Sequence, residues 1–486
     1  MRLIIISLLA LFISLMLVAS GNAYLMSLIG VRLGIANTPP TEIGWIMTFY
    51  SIGFVVGSIF AQRLLIRVGH IRAFSTLASL AAMAALLYPF AEDFWVWSLL
   101  RVVGGFSVAG LFIAIESWFS AVASDNNRAT LFSLYTIAAY SAAASGQVIL
   151  GQSSGLPIST AFIIAGLLLI AAVIPLSASR LQSPPLETAE FMSLGRLWRK
   201  SALGLFSAFC GGLLIGSFYA LVPLFATLSE IKTDQIATLM SISVMSAMLF
   251  AWPIGWLCDR ITRSKVLATT AMVAALAALG ASLFGSDQFV LLILSTSLFM
   301  AMIAAIYSIA VAITNDLIRS EERVAASSTL MLSYGLGSIA GPLLGSMLLG
   351  SFAPGSLFLG FVMVLLILIL FTLIRQVQKP PVPIEDQEQF VPAMPETQVI
   401  AEFDPRTEDL PDTAIEELFP DEVVVEAVQS TSGSNQLVDS ILENVSVSNE
   451  TLAPLDNLTE QGSEQSFDIH DEAIQAQAEE YSQQKR

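Results

Sequence analysis

The chain has 486 residues, 55% of them hydrophobic and only 13% charged, with a mean hydropathy of +0.74. No water-soluble domain carries so much apolar surface, because its solvent-facing side must be polar. The formal charge of −17 belongs to one end: residues 381–486 hold 25 acidic and three basic residues, whereas residues 1–380 carry a net +5. The acidity therefore describes a tail and not the body of the protein. Cys210 and Cys258 fall in apolar runs, and His70 and His470 stand far apart, so no disulfide framework, metal site or cofactor is expected.

A bilayer crossing takes about 20 mostly apolar residues. In chain order, helices are predicted near 3–30, 42–66, 73–90, 94–121, 128–151 and 157–176. The polar stretch 177–200, with Pro184, Pro185, Arg196, Arg199 and Lys200, reads as a cytoplasmic linker. Six further helices are predicted near 201–227, 235–258, 265–284, 288–317, 324–350 and 355–375. The expected fold is an all-α membrane protein, with twelve transmembrane helices in two pseudo-symmetric six-helix bundles, 1–176 and 201–375. The first segment resembles a signal peptide as far as Ala23. Its apolar run continues to Val31, past an h-region of about 7–15 residues, so it is read as a retained helix. Residues 376–486 are rich in acids, Ser and Gln, too poor in apolar area to offset the entropy of ordering. A mostly disordered cytoplasmic tail is expected there, with the patches Ile415–Phe419 and Val438–Val445 open to a protein partner.

The chain repeats itself. QRLLIRVGHIRAF (Gln62 to Phe74) and GWLCDRITRSKVL (Gly255 to Leu267) each join two apolar runs by a basic turn, and Arg67 matches Arg260, and Arg72 matches Lys265, at an offset of 193. Gly21-x-x-Tyr24 matches Gly216-x-x-Tyr219, and Arg128 with Gly146 matches Arg323 with Gly341, at an offset of 195. Duplication inside a membrane chain implies two halves built alike around a central site. Sixteen Lys and Arg residues fall on the side of the predicted termini, against Arg32 and Lys232 opposite, which predicts both termini to be cytoplasmic.

These turns resemble the signature of the major facilitator superfamily, a Gly, an Asp-Arg pair, a second Gly and further basic residues. The second half carries Gly255, Asp259, Arg260, Arg263 and Lys265, with Thr262 where Gly is usual. The first half keeps Arg67, Gly69 and Arg72 but has Ile66 at the Asp position and Gln62 at the first Gly. LRVVGGFSVAG is similar to the family's helix-four motif, with Arg101 followed by Gly104, Gly105 and Gly110. IESWFSA, IGSFYALVPLF, SAMLFAWPIGWLCDR and MLSYGLGSIAGPLLG resemble the YcaD-like branch. The resemblance covers residues 1 to about 378. It implies a secondary transporter of a bacterial inner membrane, moving a small solute by alternating access, and it implies a part in proton coupling for Arg101.

Arg101 and Glu116 are the two ionisable residues well inside a predicted helix. A mid-membrane charge costs about 2.5–3.5 kcal/mol or more, so each must face a cavity or a partner. They lie roughly 22 Å apart along the helix and cannot pair. Glu116 is the better proton carrier, since low-dielectric surroundings favour the neutral carboxyl; a structural hydrogen bond to a Ser or Tyr is its simpler role. Asn22, Tyr24, Tyr135, Tyr140, Gln147, Tyr219, Tyr307 and Tyr334 are candidates for the cavity wall, which suits a modestly polar or amphipathic solute. Gly105, Gly335, Gly337, Gly341 and Gly345 are placed for close helix packing, with Pro342 a candidate kink. Gln147 stands where that proline would repeat; the resemblance implies a Gly-Pro arrangement in helix five of the superfamily's antiporters, so this departure counts against a drug–proton antiporter. Arg67, Gly69, Arg72, Gly255, Asp259, Arg260, Arg263 and Lys265 form an expected cytoplasmic gate, in which Asp259 caps or pairs with Arg263, Arg323 or a helix end when the inner side is shut.

The sequence has no H-E-x-x-H helix, nucleophile elbow or phosphate-binding loop, so neither an enzyme nor ATP drive is expected. Expected partners are a small solute, protons and the lipid bilayer, with no nucleic acid, and the chain is expected to be monomeric. The remaining alternative is a transporter-like sensor or scaffold signalling through its acidic tail.

Overall fold

The computed structural model describes residues 2–90, 92–122, 128–179, 192–319, 322–378, 382–387 and 390. Among them are twelve long helical rods: α1 (Arg2–Ile35), α2 (Pro40–Val68), α3 (His70–Leu87), α4 (Phe94–Val122), α5 (Arg128–Gln152), α6 (Ile158–Ala178, interrupted at Ala172), α7 (Leu194–Leu228), α8 (Thr233–Cys258), α9 (Arg263–Leu283), α10 (Phe289–Asn315), α11 (Arg323–Ser351) and α12 (Ser356–Gln378). Eleven are long and apolar enough to cross a membrane; α5 falls below that apolarity. Its sequence, rich in Ala, Ser and Thr, suits a helix walled in by α1 and α8 on most sides. The body is a multi-pass membrane protein. Outward-facing Trp252, Leu283, Ile174 and Met363 present side chains that only lipid accommodates.

Helix α7 starts at Leu194, seven residues before the predicted boundary, so Arg196, Arg199 and Lys200 belong to a helix and not to the linker. Ser193 explains the shift, since its side chain accepts a hydrogen bond from the Arg196 N–H as an N-cap. A non-helical residue, Ser201, then separates this basic turn from the apolar rod. Most of the predicted linker and nearly all of the predicted tail lie outside the described residues.

The two halves use the same pairings. α1 packs on α5, α2 on α4, and α3 on α4 and α6; correspondingly α7 packs on α11, α8 on α10, and α9 on α10 and α12. The halves meet through α2 with α11, α5 with α8, and α1 with α7. Two hydrogen bonds across this seam are related by the repeat. The Thr48 hydroxyl donates to the Ile339 carbonyl at 3.3 Å, and the Ser241 hydroxyl donates to the Ala144 carbonyl at 3.2 Å. Thr48 and Ser241 differ by 193, and Ala144 and Ile339 by 195, so both sequence offsets are structural.

Glycines set the closest crossings. A β-carbon at Gly105 would sit 2.1 Å from the Tyr50 carbonyl oxygen, and one at Gly53 would sit 2.1 Å from that of Val102, so α2 and α4 touch backbone to backbone. In the second half, β-carbons at Gly337 and Gly341 would meet the Phe209 and Leu213 carbonyls at 2.0 and 2.3 Å, and one at Gly345 would meet the Leu221 side chain at 2.5 Å. At the α2–α3 corner Gly69 takes φ 84°, a conformation that penalises any side chain. Replacing Gly105 by Ala is expected to cost about 1–3 kcal/mol through overpacking. The readout is the Tm of the purified protein, and a parental Tm would mean that α2 and α4 part without penalty.

Candidate functional site

A cavity of about 830 Å3, its open mouth included, lies between the two halves. Its wall takes Asn22 and Met26 from α1, Met47, Tyr50 and Phe54 from α2, and Phe112 from α4. The second half adds Tyr219 from α7, with Tyr334 and Ser338 from α11. The wall contains no Asp, Glu, Lys, Arg or His among the described residues. Its polar groups are hydroxyls and one amide, and the Tyr50 hydroxyl donates to Asn22 Oδ1 at 2.9 Å. The far ends of the bundle close above the cavity, where β-carbons at Gly44 and Gly34 would lie 1.9 Å from Ser346 Oγ and 2.9 Å from Thr227. At the basic end, by contrast, α4 and α10 each pack extensively only within their own half.

Of the cavity candidates, Asn22, Tyr219 and Tyr334 line this wall. Tyr24, Tyr140, Gln147 and Tyr307 do not. The reason for Tyr24 is register: α1 lines the cavity with Ala19, Asn22, Ala23 and Met26, and α7 with Ile215, Gly216 and Tyr219, which correspond at an offset of 193. The Gly-x-x-Tyr match at 195 is two residues, or roughly 200°, out of phase. Tyr24 accordingly turns into the bundle, fully buried, 3.0 Å from the Ser153 hydroxyl. Gln147, also fully buried, donates its amide N–H to the Ala23 carbonyl at 3.0 Å, behind the wall. Tyr307 packs edge-on against Tyr334 with ring centres 5.1 Å apart. Tyr140 belongs to a second, smaller cavity toward the basic end.

Arg101 is 1% exposed and sits one layer behind the wall. Its guanidinium lies 4.3 Å from the centre of the Tyr50 ring and donates to the sulfurs of Met26 at 2.8 Å and Met47 at 3.5 Å. Tyr88, itself buried, is a further electrostatic neighbour of the guanidinium. Among the described residues no carboxylate pairs with it. A desolvated cation over an aromatic face gains about 2 kcal/mol or more, and thioethers accept only weakly, so the charge is caged but not neutralised. Glu116 is fully buried within the first half, where the Tyr135 hydroxyl donates to its Oε1 at 2.5 Å. It does not reach the cavity wall.

At the basic end the two repeats differ. Arg67, Arg72, Arg260 and Lys265 are exposed, and Arg260 stacks on Trp256 at 4.0 Å. Arg263 is buried; it donates to the Ala312 carbonyl at 2.8 Å and forms an ion pair with Asp316 at the end of α10. With the basic end in this arrangement, Arg263 is held by Asp316 and not by Asp259. Asp259 Oδ1 instead accepts the backbone N–H of Phe390 at 2.8 Å, a residue beyond α12.

The family model described as Major Facilitator Superfamily matches residues 11–247 and again 208–434. The chain belongs to the major facilitator superfamily. The "Uncharacterized MFS-type transporter YcaD" of Salmonella heidelberg is 27% identical over 69% of this chain and 86% of its own length. That of Salmonella typhi is 26% identical over 76% and 96%. Among solved structures, a point mutant of the nucleoside transporter NupG aligns with a TM-score of 0.63 at 15% identity, over 76% of this chain and 99% of that one. A bacterial homolog of the human lysosomal transporter Spinster aligns at 0.59 and 15%, over 79% and 98%. The twelve-helix superfamily fold read from the repeat is thus the fold found, in a membrane transporter family.

Sequence reasoning passed over Tyr50, Met26 and Met47, the residues that join Arg101 to this superfamily cavity. The available signal was Arg101 itself, since a buried cation must be met by aromatic or sulfur groups on the neighbouring helices. It also passed over Glu322, which receives Arg196 at 2.5 Å and Lys200 at the α7–α11 corner. The hydrogen bond from Lys200, foremost, and the charge of Arg196 hold the Glu322 carboxyl below its ordinary range. Its contribution to stability is therefore complete above the unfolded value of about 4.3 and disappears as pH falls through the lowered folded value. Between about pH 5 and 3, the Tm of Glu322→Gln is expected to fall less than that of the parent; parallel curves would remove Glu322 from acid sensitivity.

Proposed function

We infer that this protein is a secondary active transporter of a bacterial inner membrane, with both termini in the cytoplasm. It carries a small amphipathic solute through the central cavity by alternating access, coupled to protons. The observation that supports this most directly is the asymmetry of the cavity. α2 with α11 and α1 with α7 close one end, while at the other α4 and α10 pack extensively only within their own halves. Rocking the halves about the Thr48 and Ser241 seam exchanges those roles.

The wall supports a choice of solute charge. Hydroxyls, an amide and aromatic faces bind a neutral amphiphile, and the caged Arg101 adds a positive field from behind Tyr50, with no carboxylate among the described residues to cancel it. Neutral and anionic solutes are favoured, and cations are not. Met26, Met47 and Tyr50 connect the cavity to Arg101, so occupancy and the state of the first half are linked. Glu116, bonded to Tyr135 between α4 and α5, is the group whose proton uptake would alter how those helices pack as the cavity changes sides.

The test starts with a thermal-shift screen of the purified protein against neutral, anionic and cationic amphiphiles, followed by flux of the hits in proteoliposomes. Stabilisation by neutral or anionic compounds is expected; a cation-only profile would overturn the charge assignment. With a transported hit, Glu116→Gln is expected to flatten the pH dependence of flux, and an unchanged pH profile would remove Glu116 from coupling. Tyr50→Phe, which loses the hydroxyl bonded to Asn22, is expected to raise KM about 5- to 30-fold, the effect of one lost hydrogen bond of about 1–2 kcal/mol. An unchanged KM would take that pair out of recognition.

A further inference from the structure

The cleft between the halves at the basic end is not empty. Phe390, twelve residues beyond the end of α12, is only 7% exposed and fills one side of the second cavity, about 330 Å3 in volume. That cavity is walled by Thr136 and Tyr140 from the first half and by Ala251, Ile254, Ala305 and Ser308 from the second. The ring lies 3.0–3.3 Å from where a β-carbon of Gly255 would be, which is room that only glycine leaves. The backbone N–H of Phe390 is held by Asp259 Oδ1, the signature aspartate whose first-half counterpart is Ile66.

The chain leading there is also anchored. Residues Ile384–Asp386 form a 3-10 turn, Gln387 donates its amide N–H to the Val382 carbonyl at 2.9 Å, and both Val382 and Gln387 border the surface around Arg263, Asp316 and Arg375. A lone aromatic in an otherwise polar, acidic tract is thus placed beside a basic end, in an apolar cleft shared by two halves that do not otherwise meet through α4 and α10.

We propose that this cleft is a docking site for the chain's own tail, and that docked Phe390 is a brake on transport. Closing the basic end requires α5 to approach α8 and α10, and an aromatic ring between them prevents it. The same contact occupies Asp259 and so withholds it from any charge pair formed on closure. Release of Phe390 frees both at once, so whatever draws the acidic tail away from the basic end sets the transport rate. The docking site stands on the geometry alone; its effect on rate rests on the transporter assignment above.

Two measurements on the full-length chain separate these. In a Cys210→Ser, Cys258→Ser background, Ala305→Cys reports access to the cleft through its rate of labelling by a membrane-impermeant maleimide. Phe390→Ala is expected to raise that rate about tenfold, because labelling follows the population of the open cleft and a buried aromatic is lost. Phe390→Tyr, which keeps ring and N–H, should label at the parental rate. An unchanged rate in Phe390→Ala, in protein with a parental Tm, overturns the docking site. Gly255→Cys with Phe390→Cys should cross-link within one chain on mild oxidation, and failure to do so overturns docking independently of any substitution's effect on folding. Flux of a screened solute should rise in Phe390→Ala and stay parental in Phe390→Tyr. Equal flux in Phe390→Ala and the parent overturns the brake while leaving the docking site, whereas absence of flux for every solute in all variants counts against the transporter assignment.

Discussion

Helix axes in this bundle approach until a single methyl group has nowhere to go. At the α2–α4, α1–α5 and α7–α11 crossings, the obstacle to a β-carbon is a carbonyl oxygen of the facing helix, at Gly105, Gly146 and Gly337 alike. In lipid there is no hydrophobic effect to press helices together, so close van der Waals approach must do it. Those crossings lie mostly within each half, so the cavity opens between the halves. It is the space left where α1, α2, α7 and α11 converge without interdigitating.

The same crossings position the charge of Arg101 behind the cavity wall. Gly105 brings α4 onto the backbone of Tyr50, one turn from Arg101, so the guanidinium comes to rest on that ring. Met26 and Met47 complete the cage, and both also form part of the cavity wall. A solute touching these side chains is therefore one residue away from an uncompensated cation. Buried charge, cavity wall and helix packing are a single arrangement.

Most of the fold was legible because its signals are long. Twelve apolar runs, a basic bias on one face and a duplication at 193–195 residues each recur many times, and chance does not align them. The site was less legible, since its contributors are Tyr, Met and Phe in helices already full of such residues. Tyr219 and Asn22 were found, and Tyr24 was not, because a sequence match two positions out of phase places its side chain on the opposite side of the helix. The start of α7 was hidden by Arg196, Arg199 and Lys200, which look like a linker until Ser193 is seen as a cap. Phe390 was hidden because burial of one aromatic in a tract such as PIEDQEQF leaves no periodicity to read.

The two halves share a plan but not a stiffness. Three interior prolines, Pro223 in α7, Pro253 in α8 and Pro342 in α11, lie in the second half, against Pro175 of α6 in the first, next to the break at Ala172. Each removes a backbone hydrogen bond and loosens its helix at that level. Where Pro342 would repeat in the first half stands Gln147, whose side chain instead ties α5 to α1. Places where a rod can bend are thus unevenly shared across the pseudo-dyad: three in the carboxy-terminal bundle, two of them in the cavity-lining helices α7 and α11, and one in the amino-terminal bundle, in α6 away from the cavity wall.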